Sequence, residues 1–134
     1  MIQRVLKIGR WVVEFYFAEK EYDIDTLLDR LWDFGASEQL MRQALDLMSI
    51  GAPNTGFTFS NPNDFCAIVA IGPTTSGEEF INTLVHEVHH LAVSIATNLG
   101  IDLDGEGPAY ISGDSAKELA ELVCELGCPC CHKG

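Results

Sequence analysis

Residues 76–100, SGEEFINTLVHEVHHLAVSIATNLG, are the stretch that most directly predicts the fold. Ser76 or Thr75 suits a helix N-cap and Gly100 suits a helix end, so the pattern predicts one long helix that runs to about Asn98. Apolar residues recur along it at helical spacing, and this stripe is expected to face the core. The stripe consists of Ile81, Leu84, Val88, Ala92, Ile95 and Leu99.

The same helix brings histidines together. His86 and His90 are one turn apart and lie nearly opposite the apolar stripe, at about 100° per residue. Two imidazoles in this arrangement can bind one metal ion. Glu87 lies beside them, at a position from which a carboxylate polarises a metal-bound water without displacing that water from the ion. We predict a mononuclear zinc site with His86 and His90 as ligands and Glu87 as catalytic base. The alternative is a pair of solvated histidines; His89, between the two faces, is expected to pack or hydrogen-bond nearby.

A catalytic zinc site needs a third protein ligand and an open position for water. Residues 91–101 contain no histidine, so we expect the third ligand from beyond the helix. Glu106 is the best candidate, because a glycine on each side lets backbone and metal approach closely. Asp102 and Asp104 remain alternatives, although Asp before a helix is usually a cap or turn residue.

The remaining chain predicts an α+β domain, a short mixed sheet packed on helices. Residues 1–10 are interpreted as a short lead. The predicted elements are a strand at 11–18, helices at 23–34 and 37–50, strands at 55–60 and 65–71, the histidine helix, and a following antiparallel helix at about 107–126. We expect one domain over residues 1–126 and a Cys-rich tail over 127–134.

Composition limits the classes of function. The formal net charge of −12 disfavours binding to nucleic acid, because it repels phosphate backbones. No apolar run reaches the roughly 18 to 20 residues needed to cross a membrane. The first ten residues do not resemble a secretory signal, so a cytoplasmic protein is expected.

His86-Glu87-Val88-His89-His90 followed by Glu106-Gly107-Pro108-Ala109-Tyr110 resembles the gluzincin branch of zincin metallopeptidases. The pattern is especially similar to small zincin-like proteins of phages and bacterial mobile elements. The resemblance covers residues 65–126 and implies a third ligand, Glu106, on the helix after the HExxH helix. It also implies that strand 65–71 is an edge strand along which an extended peptide aligns. Tyr110 is the nearby candidate for contacting the oxyanion.

Cysteines are concentrated at the end of the chain, where four of the five lie within the last eleven residues. Together with His132 they could form a second, structural zinc site, or they could be free thiols on a flexible terminus. These residues are Cys124, Cys128, Cys130 and Cys131.

The leading hypothesis is therefore a zinc-dependent peptidase that hydrolyses a protein or peptide with water activated by zinc and Glu87 as general base. The second is a non-catalytic zincin-like binding or regulatory protein of a phage or mobile element, with a structural zinc. The third is a metal-free interaction protein whose acidic surface engages a basic partner. The sequence does not determine the oligomeric state.

Overall fold

Seven elements of secondary structure form in the part of the chain that the computed structural model describes, residues 1–100, 108–110, 113 and 117. They are β1 (Ile2–Ile8), β2 (Trp11–Phe17), α1 (Ile24–Asp33), α2 (Glu38–Ile50), β3 (Gly56–Asn61), β4 (Cys66–Ile71) and α3 (Gly77–Leu99). Residues 108–110, 113 and 117 are helical. The predicted α+β class is confirmed. The final helix as a whole and the tail at 127–134 lie outside the described residues.

The four strands form one mixed sheet in the order β1-β2-β4-β3. β1 and β2 are antiparallel, β2 and β4 are parallel, and β3 and β4 are antiparallel. The parallel pair arises because α1 and α2 carry the chain across the sheet between β2 and the β3–β4 hairpin.

The first strand corrects the interpretation of residues 1–10 as a short lead. Ile8 pairs with Trp11, so Gly9 and Arg10 form a two-residue hairpin turn. Gly9 has a φ of +60°, which glycine adopts without steric strain, and glycine at the first position is typical of such turns. The turn and the three partly buried apolar residues Ile2, Leu6 and Ile8 are the signals that identify this strand.

The helix boundaries follow their capping residues, and α3 is capped by Ser76 and ended by Gly100 as predicted. The side chains of Asp23, Ser37 and Ser76 accept hydrogen bonds from backbone N–H groups in the first turns of α1, α2 and α3. Gly51 and Gly100 end α2 and α3 in the left-handed conformation.

Each face of the sheet has its own apolar core. On one face α3 packs against β2 and β4, in a cluster of Trp11, Val13, Phe15, Phe17, Ala67, Val69, Ile71, Phe80, Leu84, Val88, Leu91 and Ile95. On the other, α1 and α2 pack against the sheet, in a cluster of Tyr16, Ala18, Tyr22, Leu27, Leu31, Ala36, Ala44, Met48, Phe59, Ile68 and Ala70. The strands therefore bury residues on both sides, which explains the near-continuous apolar sequence of β2 and β4.

The core-facing stripe of α3 is partly different from the predicted one. Leu84, Val88, Ala92 and Ile95 are buried as predicted, but Ile81 is 43% exposed and Leu99 is 57% exposed. Phe80, Thr83, Glu87, Leu91 and Ala96 are buried as well. The buried surface is rotated because β3 packs beside the helix and covers the side that carries Glu87.

The predicted edge strand is also corrected. β4, which corresponds to the strand predicted at 65–71, has β2 on one side and β3 on the other, so it is a central strand. In the described part of the sheet the outer positions belong to β1 and β3. The reason is that β4 pairs with β3 in a hairpin on one side and with β2 in parallel on the other, so β4 lies between β2 and β3.

No helix among the described residues is long and apolar enough to cross a membrane.

Candidate metal centre

The imidazoles of His86 and His90 converge on the outward face of α3. Their Nε2 atoms are 3.2 Å apart, and the rings are nearly perpendicular, with an interplanar angle of 84°. The side chain of His86 is 68% exposed, and His90 is exposed as well. The helical spacing thus places both rings away from the core, with the same nitrogen of each ring directed to one point.

This separation fits a metal ion. Two nitrogens that are each about 2.0–2.1 Å from a tetrahedral zinc ion are about 3.3 Å apart. The observed 3.2 Å matches that value, and neutral imidazole is a good zinc ligand. Without metal, the same contact is short enough for a hydrogen bond in which one ring donates and the other accepts.

The third ligand predicted for this site is not among the described residues. Within 1–100, 108–110, 113 and 117, no group of three or more His, Cys, Asp or Glu side chains is arranged to hold a metal ion. Glu106 and its alternatives Asp102 and Asp104 lie outside that part of the chain. The same holds for the second site predicted from the C-terminal cysteines and His132.

Glu87 lies between the histidine pair and the sheet. Its side chain is only 7% exposed, in contrast to that of His86. Its Oε1 atom accepts a hydrogen bond from Thr58 Oγ1 at 2.9 Å, and its Oε2 atom is 3.9 Å from His86 Nε2. One carboxylate oxygen is therefore bound by the sheet, and the other faces the histidines.

Alternation along β3 explains how the carboxylate fits there. Phe57 and Phe59 pack with the α1–α2 core, so Gly56 and Thr58 face α3. A Cβ atom on Gly56 would lie 3.0 Å from Glu87 Cγ and 2.7 Å from the carbonyl oxygen of Ala70. Glycine is needed here because the stem of Glu87 occupies the space next to the strand.

A groove of about 380 Å³ opens beside Glu87 and His86. Six of the eight residues that line it have polar side chains, and the other two are Leu47 and Gly56. The six are Asn54, Thr55, Asn82, Thr83, His86 and Glu87. Hydrogen bonds tie the loop before β3 to the loop before α3. The N–H of Asn54 donates to Pro73 O, and the N–H of Gly72 donates to Thr55 O, both at 2.9 Å.

The phenol of Tyr22 also holds this loop, since its hydroxyl donates to Thr55 O at 3.1 Å. The pKa of Tyr22 is raised, mainly by burial, with a smaller contribution from the negative charge of Glu87. The phenol is therefore a stable donor, and it keeps one wall of the groove in place.

Two further predicted residues, His89 and Tyr110, are exposed. His89 is exposed, and its ring centroid is 6.3 Å from that of His90. Tyr110 is 67% exposed, and the structure shows no hydrogen bond between it and His86, Glu87 or His90. A role for Tyr110 in contacting the oxyanion stays a prediction.

The sequence analysis did not identify Gly56 or Thr58 as site residues. Small or polar residues at 56, 58 and 60 alternate with phenylalanines, which indicates a strand with one apolar face and one face that allows close packing.

No family model, curated protein or solved structure matches this chain. The resemblance to gluzincins therefore rests on the residues themselves.

Proposed function

We propose that this protein is a zinc-dependent peptidase that hydrolyses peptide bonds in a protein or peptide substrate. One observation carries the proposal. The Nε2 atoms of His86 and His90 are 3.2 Å apart on an exposed helix face, and the free carboxylate oxygen of buried Glu87 lies 3.9 Å from His86 Nε2. Convergent imidazoles beside a sheltered carboxylate, at the edge of a groove, support a site for metal-assisted hydrolysis that a third ligand would complete.

The residues have separate roles. His86 and His90 hold the zinc, with Glu106 as the proposed third ligand. When bound, zinc lowers the pKa of water and polarises the carbonyl of the scissile bond. Glu87 accepts the proton of the attacking water on Oε2 and then delivers it to the leaving amine. Its burial keeps bulk water away from the carboxylate, which strengthens its electrostatic interactions.

The substrate is proposed to lie along β3. Within the described sheet, β3 pairs on one side only, with β4, and its other edge is available for an added strand. This edge borders the groove next to Glu87, because Gly56 belongs to both the strand and the groove lining. An extended peptide hydrogen-bonded to β3 would pass the histidine pair with its backbone, and a side chain could enter the groove.

Two measurements on the purified full chain test the proposal: zinc content, and hydrolysis of a fluorescently labelled unfolded protein such as casein. We expect His86→Ala and His90→Ala to remove the zinc, and Glu87→Gln to keep the zinc while lowering hydrolysis by at least about 100-fold. His89→Ala is the matched control, since it removes a neighbouring exposed imidazole that is assigned no role in binding zinc.

The outcomes separate the competing hypotheses. Bound zinc without hydrolysis in the wild type would support the non-catalytic zincin-like alternative, and absence of zinc would support the metal-free interaction protein. Hydrolysis that persists in Glu87→Gln would contradict the role of Glu87 as base. A second equivalent of zinc, lost when Cys128 and Cys130 are replaced by serine, would identify a separate site in the tail.

A further inference from the structure

We infer that Thr58 is a positioning residue for Glu87: its hydroxyl holds one oxygen of the carboxylate so that the other is directed at the histidine pair. This inference rests on the proposed function, because it assigns Thr58 a role in the same reaction. It concerns a residue of the strand, whereas the sequence motif covers only the helix.

The hydrogen bond is directed to the carboxylate. Thr58 Oγ1 is 2.9 Å from Glu87 Oε1 and 3.2 Å from the main-chain oxygen of Glu87. A hydroxyl group has one proton to donate, and an ionised carboxylate is a stronger acceptor than a carbonyl group. The main-chain oxygen is the longer contact of the two. The proton of Thr58 is thus assigned to Oε1.

This bond makes the two carboxylate oxygens different from each other. Oε1 is occupied by Thr58, while Oε2 lies on the side of the histidines, 3.9 Å from His86 Nε2. Rotation about the last torsion of a glutamate is soft, so an unrestrained carboxylate turns easily. The bond to Thr58 limits that rotation and presents Oε2 to the proton that the base has to accept.

The position of Thr58 is itself well defined. It lies in the middle of β3, opposite Val69 of β4, and hydrogen-bonded strand pairing fixes its backbone. Gly56 lies two residues before Thr58 on the same face of β3, and its lack of a side chain leaves room for the stem of Glu87. The side chain of Glu87 is 7% exposed and accepts no other side-chain hydrogen bond from the residues that the structure describes. Among the described side chains, this hydroxyl is therefore the one that orients the carboxylate.

The test compares zinc-loaded full-length variants that differ in the hydroxyl group. Thr58→Val keeps the shape of the side chain and removes the donor; Thr58→Ser keeps the donor. We expect Thr58→Val to lower kcat by about 10- to 100-fold, since misplacement of a catalytic group has effects of this size. KM should change by less than about twofold, because the proton of this hydroxyl is donated to Glu87. Thr58→Ser should retain kcat within about threefold of the wild type.

Controls separate positioning from a purely structural role. Thr97→Val makes the same chemical change at an exposed position of α3, where the hydroxyl donates to Val93 O at 2.7 Å, and should leave kcat unchanged. Zinc content and Tm are measured for every variant. If Thr58→Val does not fold, Thr58→Ala provides a hydroxyl-free variant that adds no methyl group at the helix interface. In a Glu87→Gln background, loss of the Thr58 hydroxyl should have no further effect, because Thr58 acts through Glu87.

Several results would overturn the inference. Equal kcat values for Thr58→Val, Thr58→Ser and the wild type would do so, and so would a fall in kcat that only follows loss of zinc or of folded protein. An undiminished effect of Thr58→Val in the Glu87→Gln background would show that Thr58 does not act through Glu87. A zinc-loaded wild type without hydrolysis would instead overturn the proposed function, and this role of Thr58 with it.

Discussion

The two faces of the sheet each bury one glutamate, and the surroundings of the two carboxylates are opposite in character. Glu14, on the α1–α2 face, is 8% exposed and is bound by a cation. Glu87, on the α3 face, is 5% exposed and is bound by a neutral hydroxyl. The described part of the chain thus contains two buried acidic groups at similar depth, of which only one is neutralised by a described side chain.

Glu14 is the centre of a network of three hydrogen bonds. The guanidinium of Arg30 donates from Nε to Oε1 and from a terminal nitrogen to Oε2, both at 2.9 Å. The hydroxyl of Tyr16 donates to Oε1 at 2.6 Å. Hydrogen bonds to Glu14 raise the pKa of Arg30, while burial and Glu14 together raise the pKa of Tyr16 to about 12. This geometry joins β2 to α1 and gives both oxygens of the carboxylate a hydrogen-bond donor.

The comparison indicates what each carboxylate does. Burying an ionised group is unfavourable unless it is paired and hydrogen-bonded, and Glu14 meets both conditions. Glu87 meets only the second among the described residues, and its free oxygen lies 3.9 Å from Nε2 of His86, one of the two imidazoles whose spacing fits a metal cation. A buried carboxylate with an open oxygen and a nearby cation site is typical of a reactive group, whereas a fully bonded one stabilises the fold.

The largest expected effect on stability comes from breaking the network of Glu14. Arg30→Met removes the cation and keeps much of the apolar stem, which leaves Glu14 buried with fewer donors. The side chain of Arg30 is 34% exposed, so solvent moderates the loss, and we expect the free energy of unfolding to fall by about 2 kcal/mol. Hydrolysis by the folded fraction should be unchanged. Urea unfolding measures the first quantity and kcat the second.

Asp33→Asn is the matched control for that change. Asp33 is the exposed partner of Arg30, at 3.1 Å, and its side chain is 58% exposed. An exposed ion pair of this kind contributes at most about 1 kcal/mol. If Arg30→Met and Asp33→Asn had the same small effect, the network of Glu14 would not be the stabilising feature proposed for this face.

A smaller effect on stability, with an accompanying effect on hydrolysis, is expected for Gly56→Ala. The added methyl group meets the carbonyl oxygen of Ala70 at 2.7 Å and Glu87 Cγ at 3.0 Å, so the strand and the glutamate both have to shift. Overpacking of this kind costs about 1–3 kcal/mol, and we expect the lower part of that range because β3 is an outer strand. Thermal unfolding and kcat measure the two effects.

Gly113→Ala controls for the substitution itself. Gly113 is exposed and helical, and a Cβ atom there would meet no atom of the described residues within 4 Å. Alanine should leave stability unchanged or raise it slightly, by up to about 1 kcal/mol. Full activity in Gly56→Ala would contradict the close approach of Glu87 to β3.

The smallest expected effect is a loss of stability at alkaline pH, caused by Tyr16 on the α1–α2 face of the sheet. Tyr16 holds its proton more tightly in the folded protein than its ordinary pKa of 10.0, because burial and the adjacent Glu14 disfavour the phenolate. The stabilisation is therefore complete below pH 10 and is lost as the pH rises towards about 12. Ultraviolet titration of the phenolate should show one tyrosine that ionises near pH 12 and is missing in Tyr16→Phe.

Between pH 10 and about 12, the free energy of unfolding should fall less in Tyr16→Phe than in the wild type. Urea unfolding at a series of pH values measures this difference. Activity gives the complementary measurement: at neutral pH, hydrolysis should be the same in Tyr16→Phe and the wild type. A difference in kcat there would link the two faces, which this structure keeps separate.

The sequence alone determined the features that depend on neighbours within one or two turns. Ser37, Ser76, Gly51 and Gly100 define helix ends because capping is local, and the four-residue spacing of His86 and His90 places them together in any α-helix. The α+β class followed from the same kind of periodicity.

Only the tertiary structure decided which strands are neighbours and what lies against the helix. The parallel pairing of β2 and β4 makes β4 a central strand and leaves β3 at the outer position. It also brings Thr58 and Gly56 against Glu87, although about 30 residues separate them in the chain. Such contacts depend on the order of strands in the sheet, and strand pairing between distant segments is not encoded in a local pattern.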